Sequence, residues 1–311
     1  MRFCFIDAEK ANYPINLMCK CLSVSRSGYY AWLGREPSAR SREDERLKPK
    51  IVASHKASRG TYGSPRIHQD LAEDGEQVSR KRVHRLMGEL EIEGVQKRRF
   101  RATTNSRHGM PVASNLLMRE FAVDAPNIAW VTDMTYIATL DGWLYLAAIL
   151  DLYSRRVVGY AMSDHIDRHL AIDALDRALG QRRDVRDLMH HSDRGSTYVS
   201  HDYQACLAQA GMTCSMSRRG NCWDNAVAES FFATLKKDLL YQRPLQSSII
   251  TRAEVADYID SFYNVRRRHS SLKFMSPLEF ELKHPGNSGS ASVSGVKVRQ
   301  EPVQEIPATA A

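Results

Sequence analysis

The sequence predicts two unlike parts: an all-α, basic amino-terminal region and, after it, an α/β domain on a mixed five-stranded sheet. Three observations carry this. Up to residue 101 the apolar residues recur at helical spacing behind polar cap residues. From residue 128 they come instead in short β-branched and aromatic runs closed by turn residues. Charge divides at the same place: residues 1–120 hold 23 Lys and Arg against 14 Asp and Glu, a net of +9, and the remainder holds 21 against 22, a net of −1. A basic half of this kind suits a polyanion, nucleic acid above all, with a merely solvated basic surface as the competing reading.

Composition excludes several classes. With 311 residues, 43% hydrophobic and 26% charged, the chain is long enough for a sizeable core and more than one domain. No apolar run approaches the ~20 residues that span a bilayer, and the opening Met1 to Asp7 is too short and too soon acidic for a signal peptide. A cytoplasmic protein without a membrane partner is expected. The six cysteines, at 4, 19, 21, 206, 214 and 222, lack metal-ligand spacing, so reduced thiols and no structural zinc are expected.

In chain order, residues 1–40 contain a helix-turn-helix-like segment. Pro14 to Leu22 forms a short amphipathic helix, and Ser25 caps a second one, which places Arg26 and Ser27 where a recognition helix meets DNA. An ordinary helical hairpin fits the same pattern. Residues 35–50 are charged and aperiodic, a linker or exposed helix start. Residues 41–101 form a helical, basic, DNA-binding region: Pro65 opens one helix, and Ser79 caps another that carries Arg80, Lys81, Arg82 and Arg85. Four cations on one short helix suit a phosphate backbone, with a solvated face as the alternative. Residues 102–120 are a polar linker, and residues 121–284 form the α/β core with its carboxy-terminal helices. Residues 285–311, lacking apolar periodicity, form a disordered tail.

Within the core, strands are expected over 128–138, 143–150 and 157–162, an antiparallel meander. A helix over 168–180, a strand over 188–191, a helix over 203–210, a strand over 212–216 and a helix from Asp224 onward complete it. Asp224 or Asn225 is expected to cap that last helix, and Val227, Phe231, Leu235 and Leu239 mark its buried face. Asn225, Glu229 and Lys236 share a second face. A carboxylate inside an apolar strand, Asp133, is costly unless paired or metal-bound. Asp193 ends the fourth strand, where ligands of α/β sheets collect. The order β-β-β-α-β-α-β-α is that of a ribonuclease-H-like fold, in which the first and fourth strands are neighbours and all three acids can meet. Three converging carboxylates repel unless cations share the site, and oxygen ligands suit Mg²⁺ or Mn²⁺. His190 and His191 are expected to shape the site without catalysing.

Three motifs then carry a resemblance. Trp130 to Tyr136 (Trp-Val-Thr-Asp-Met-Thr-Tyr), His191 to Ser196 (His-Ser-Asp-Arg-Gly-Ser) and Gly220 to Phe232 resemble the DDE signature of bacterial insertion-sequence transposases. Tyr263 to Leu272 and Ser276-Pro277 extend it. The match is to the second-reading-frame product of the insertion-sequence-three family, whose core is similar to retroviral integrases, and it covers residues 13 to 284. The resemblance implies an α/β ribonuclease-H-like catalytic core preceded by an all-α helix-turn-helix DNA-binding region. It implies a transposase that binds the element's ends and cleaves and transfers DNA strands, with Asp133, Asp193 and Glu229 as catalytic ligands of two Mg²⁺. Lys236 matches a DNA-contacting base, Asn225 a supporting neighbour, and Arg267 and His269 a late motif that contacts DNA or supports the fold. Asp151 matches a family position near the site, with a structural role favoured. Arg194 and Thr197 stand where the family usually has Gln. Partners implied are double-stranded DNA at element ends and target, further copies of the chain on that DNA, and the upstream-frame protein or a frameshift fusion with it. A bacterial, nucleoid-associated location follows. The alternatives are another ribonuclease-H-fold integrase or nuclease, or a non-catalytic helix-turn-helix regulator.

Overall fold

The computed structural model describes residues 2–95, 112–182, 185, 187–218 and 222–286. The basic run at 97–101, most of the linker, Gly220, Asn221 and nearly all of the tail expected to be disordered lie outside these residues.

Three short helices, α1 (Arg2–Glu9), α2 (Ile15–Cys21) and α3 (Arg26–Leu33), close around Ile6, Met18, Cys19 and Tyr29. Ser25 caps α3 as expected, its hydroxyl accepting from the Gly28 amide at 3.0 Å. The sequence shows no helix before residue 14. α1 forms because Ile6 buries fully against Tyr29, whose hydroxyl donates to Asp7 at 3.1 Å.

A second helical unit comprises α4 (Ala39–Ala57), α5 (Ser64–Glu73) and α6 (Arg80–Glu89). Residues 35–50, expected as a linker or exposed helix start, lie mostly inside α4, a helix of 19 residues. Its apolar anchor is small, Leu47 and Ile51 one turn apart, both buried. Its other charges are absorbed by neighbouring helices, which is why periodicity alone misses it. Ser79 caps α6, accepting from the Arg82 amide at 3.3 Å.

The sheet contains β1 (Ala129–Thr139), β2 (Gly142–Asp151), β3 (Val157–Ser163), β4 (Met189–Ser192) and β5 (Thr213–Met216), in the order β3-β2-β1-β4-β5. β1, β2 and β3 are antiparallel, and β4 and β5 run parallel to β1. Helices α7 (Arg168–Gln181) and α8 (His201–Gln209) cover one face over Trp130, Ile149, Val158 and Leu175. Contact there is close: a Cβ on Gly159 would stand 2.3 Å from the Ala174 carbonyl oxygen. Helices α9 (Ala226–Asp238) and α10 (Ser248–Asp257), with a π-helical turn over Tyr258–Tyr263, cover the other face. The core on that side runs without a break from Val131 and Phe231 to Leu47, Ile51, Ile67 and Leu86 of the second helical unit. A last helix, α11 (Pro277–Lys283), starts with a capping box of Ser276 and Glu279. Among the described residues no helix is long and apolar enough to cross a membrane.

Candidate active site

Strand register brings the first two acids together. β1 and β4 pair in parallel with Val131 opposite His191. Asp133 and Asp193 each lie two residues beyond that last pair, so they leave the ends of neighbouring strands, close enough to act on each other through charge. Val131 faces the α9 side, and the period of two places Asp133 on that side too. Past Asp193 the chain turns sharply, with the Gly195 amide donating to the Asp193 carboxylate at 2.8 Å. Gly195 leaves room for that carboxylate, which a Cβ would approach to 3.0 Å.

The third acid, Glu229, sits in the first turn of α9, and the start of that helix is tied down on both sides. Asn225 is buried and its Nδ2 donates to the Thr132 carbonyl at 3.0 Å, next to Asp133. Asp224 is 1% exposed and accepts from Arg218 Nη2, Arg119 Nε and Asn115 Nδ2 at 2.9, 2.9 and 2.8 Å. These donors, Arg218 first, hold its carboxyl well below the usual carboxylate range. Neither side chain makes a capping hydrogen bond to α9. The expected cap is thus corrected: both groups are consumed in fixing the helix start to the sheet.

Electrostatics show that the acids share one field. Burial pushes the Asp133 carboxyl well above its ordinary value, and the charges of Asp193 and then Glu229 push it further. The Met134 amide, 2.8 Å from Oδ1, and Lys236 act the other way. Burial also raises Glu229 and lowers Lys236, the latter opposed by Asp133. Among the described residues no group of three or more His, Cys, Asp or Glu is gathered closely enough to hold a metal ion as a finished cage. The donor set itself, three carboxylates with one nearby ammonium, is all oxygen and fits a hard divalent cation.

The other expected residues divide. His190 and His191 are fully buried. His191 bonds Ser215 and Ser217 at 2.8 and 3.1 Å, His190 bonds the Tyr203 hydroxyl at 3.1 Å, and burial lowers their pKa values to about 4 and about 3. They brace β4 and β5 as neutral rings. Arg26, Arg80 and Lys81 are exposed on the first turns of α3 and α6. Arg82 and Arg85 grip Asp44 at 2.7 and 2.6 Å and so tie α6 to α4. Arg267 is 5% exposed and its Nε donates to the buried Asp238 at 2.7 Å, a core ion pair that supports the fold. His269 is half-buried, edge-on to Tyr263, and lines a cavity of about 880 Å³ that runs along α9 past Glu229 and Lys236 to Arg66 and Arg155.

Asp151 lies opposite Trp130, three residues along β2 from the Ala148 that faces Asp133. It accepts from the Asn127 and Tyr153 amides at 2.9 Å each, and burial raises its pKa to about 6. It holds the turn after β2, ~10 Å from the acids. Arg194 donates to the Ser217 carbonyl at 2.6 Å. Asp238 is a buried acid that no sequence motif singled out. An acid at 238 beside the apolar Leu235 and Leu239 was the available signal for a buried pair.

A sheet ordered β3-β2-β1-β4-β5, with acids on its two central strands and a third on the covering helix, defines the class of integrase-core polynucleotidyl transferases of the DDE type. Residues 123–222 and 210–277 match the integrase core domain, and residues 42–100 match an HTH-like domain. The chain is 48% identical over 267 residues to the insertion element IS600 uncharacterized 31 kDa protein of Shigella sonnei, covering 86% of this chain and 98% of that one. It is 38% identical over 286 residues to transposase InsF for insertion sequence IS3A of Escherichia coli K12, covering 91% and 99%. A simian T-cell lymphotropic virus intasome, in complex with PP2A regulatory subunit B56 gamma, aligns with TM-score 0.45 and 15% identity over 84% of this chain and 80% of that one. The chain belongs to the IS3 family of transposases.

Proposed function

We propose that the protein cuts and joins the ends of its own insertion sequence with Asp133, Asp193 and Glu229 holding two divalent ions, Mg²⁺ or Mn²⁺. The observation that supports this most is the half-buried Asp133 carboxyl, beside Asp193, Glu229 and the ammonium of Lys236, which act on it through charge. Bound there, the ions would supply charge neutralisation for the attacking and leaving oxygens of an in-line phosphodiester displacement. The chain's own residues do the positioning. β1 and β4 set two acids in register, Asn225 fixes the approach of α9, and Glu229 presents the third from its first turn. Lys236 is placed to meet a phosphate of the terminal DNA, and the exposed Arg26, Arg80 and Lys81 to meet phosphates further along the duplex. The protein works as several copies of itself on the DNA, since two element ends must be joined to one target.

The test is strand cleavage and joining of a labelled duplex carrying the element's end, in Mg²⁺ and in Mn²⁺, by the wild type and by Asp193→Asn and Glu229→Gln. Wild type should cut and join, and both variants should bind DNA equally well and do neither. Wild-type protein that binds the end and leaves it intact in both metals overturns the reading in favour of a DNA-binding regulator.

A further inference from the structure

Beside the acids lies an aromatic surface with no partner in the fold. β4 pairs with β1 only over Ala129–Val131, so the rest of β1 has an open edge on that side. Near it, Tyr136 of β1, Trp143 of β2 and Tyr241 just after α9 are 42, 54 and 56% exposed. The Tyr136 and Trp143 rings meet edge to face with centroids 5.0 Å apart. The Lys236 ammonium stands 5.0 Å from the Tyr136 centroid. All four residues line one shallow cavity of about 170 Å³, floored by Leu240 and Leu245. Tyr136 follows Asp133 by three residues on the same strand, ~10 Å, or about three stacked base steps.

Exposed aromatic faces next to a cation match a nucleotide better than a protein surface. A base offers a π-face to Tyr or Trp while its phosphate takes the ammonium. The core of a protein–protein interface is depleted of charge, whereas here a lysine stands at the centre of the patch. We infer that Tyr136, Trp143 and Tyr241 form a stacking platform for unpaired bases at the end of the DNA, beside the phosphate held at the three acids. The inference rests on the proposed function and adds to it: the substrate end is opened, and the protein holds it open. Duplex ends frayed over a few nucleotides are then preferred to blunt ones.

The test compares binding of the full chain to a blunt duplex and to the same duplex with its last three nucleotides unpaired. Wild type should prefer the forked end about tenfold, the value of one or two stacked bases. The double variant Tyr136→Ala, Trp143→Ala should lose that preference while binding blunt duplex within about twofold of wild type. Tyr136→Phe with Trp143→Phe, which keeps the rings, should retain it. A fork with abasic sites in the unpaired positions should bind wild type no better than the blunt duplex. A preference that survives in the double alanine variant, or an abasic fork bound as well as the natural one, overturns the platform. So does a double variant that sediments as a smaller species with its fork preference intact, which would make the patch a contact between copies of the chain. If wild type discriminates forked from blunt ends but cleaves neither, the platform stands and the strand-transfer reading falls.

Discussion

Charge is handled in opposite ways in the α4–α6 unit and around Asp133. In α4–α6 almost every buried or half-buried charge has an opposite partner. Arg46 and Lys50 both grip Glu76 at 2.6 Å and lower its pKa to about 2. Arg82 and Arg85 share Asp44, and Arg268 reaches across from the core to Asp70 and Glu73 at 2.5 Å. Around Asp133 burial and the charges of Asp193 and Glu229 act together, and its carboxyl is pushed far above its ordinary value. Neutralised charge builds the fold. Like charge gathered around one carboxyl marks the place where the fold accepts a cost that a ligand relieves.

The sharpest way to break that contrast is to remove a charge from each kind of place. Asp133→Asn should abolish strand cleavage, a loss of roughly 10⁴-fold if the ions supply several kcal/mol to the transition state. Its melting temperature should hold or rise, because a repelling buried carboxylate is gone. A fall of several degrees would mean that Asp133 is a structural acid and the contrast false. Asp238→Ala should do the reverse. It leaves Arg267 buried and unpaired, at a cost of about 3–5 kcal/mol, read as a shift of the urea midpoint. The proposed chemistry itself should be untouched in whatever fraction stays folded.

pH sharpens the comparison further. His190 and His191 are kept neutral in the fold, with pKa values near 3 and 4, against an unfolded value of 6.5. Below pH 6.5 the unfolded chain therefore binds more protons, so stability is full above that pH and is lost as pH falls towards 4. Asp151, raised from 3.8 to about 6, has the opposite sign. It binds more protons in the fold between those values and so offsets one histidine. Asp133 and Glu229, both raised, act in the same sense as Asp151, so the contribution to isolate is that of one histidine, about 1.4 kcal/mol per pH unit between pH 6.5 and 4. Between pH 6.5 and 4.5 stability should fall more steeply, or rise less, in wild type than in His191→Gln, and parallel denaturation profiles contradict it. The smallest effect is expected at Lys236. Lys236→Ala should weaken binding to the element end by about tenfold or less and reduce the salt slope of binding by about one. Mn²⁺ affinity should change less than DNA affinity, and an equal loss of both would place the lysine at the metal instead.

The features that local chemistry dictates were legible in the sequence. Ser25 and Ser79 cap helices because a hydroxyl before a helix satisfies an orphan amide wherever it occurs. β1 to β5 show their alternating and apolar runs, and Asp133 stands out because a carboxylate in such a run is costly. What failed did so because a partner lies far along the chain. Asp224 looks like a cap until Arg119 and Arg218 claim it. Arg267, open in the sequence between contacting DNA and supporting the fold, pairs inside with Asp238. Residues 39–57 look like a solvated run until α5 and α6 neutralise their charges.

The sequence by itself determined the element order, the acid on each of three elements and the family resemblance, because periodicity, capping and motif spacing are properties of neighbouring residues. Only the tertiary structure decided which charges are paired. It brought Asp133 and Asp193 to neighbouring strands through the parallel pairing of β1 and β4, and it left Tyr136 of β1 and Trp143 of β2 exposed. Pairing and exposure depend on which elements pack together, over separations from 6 to more than 100 positions, which no local pattern encodes.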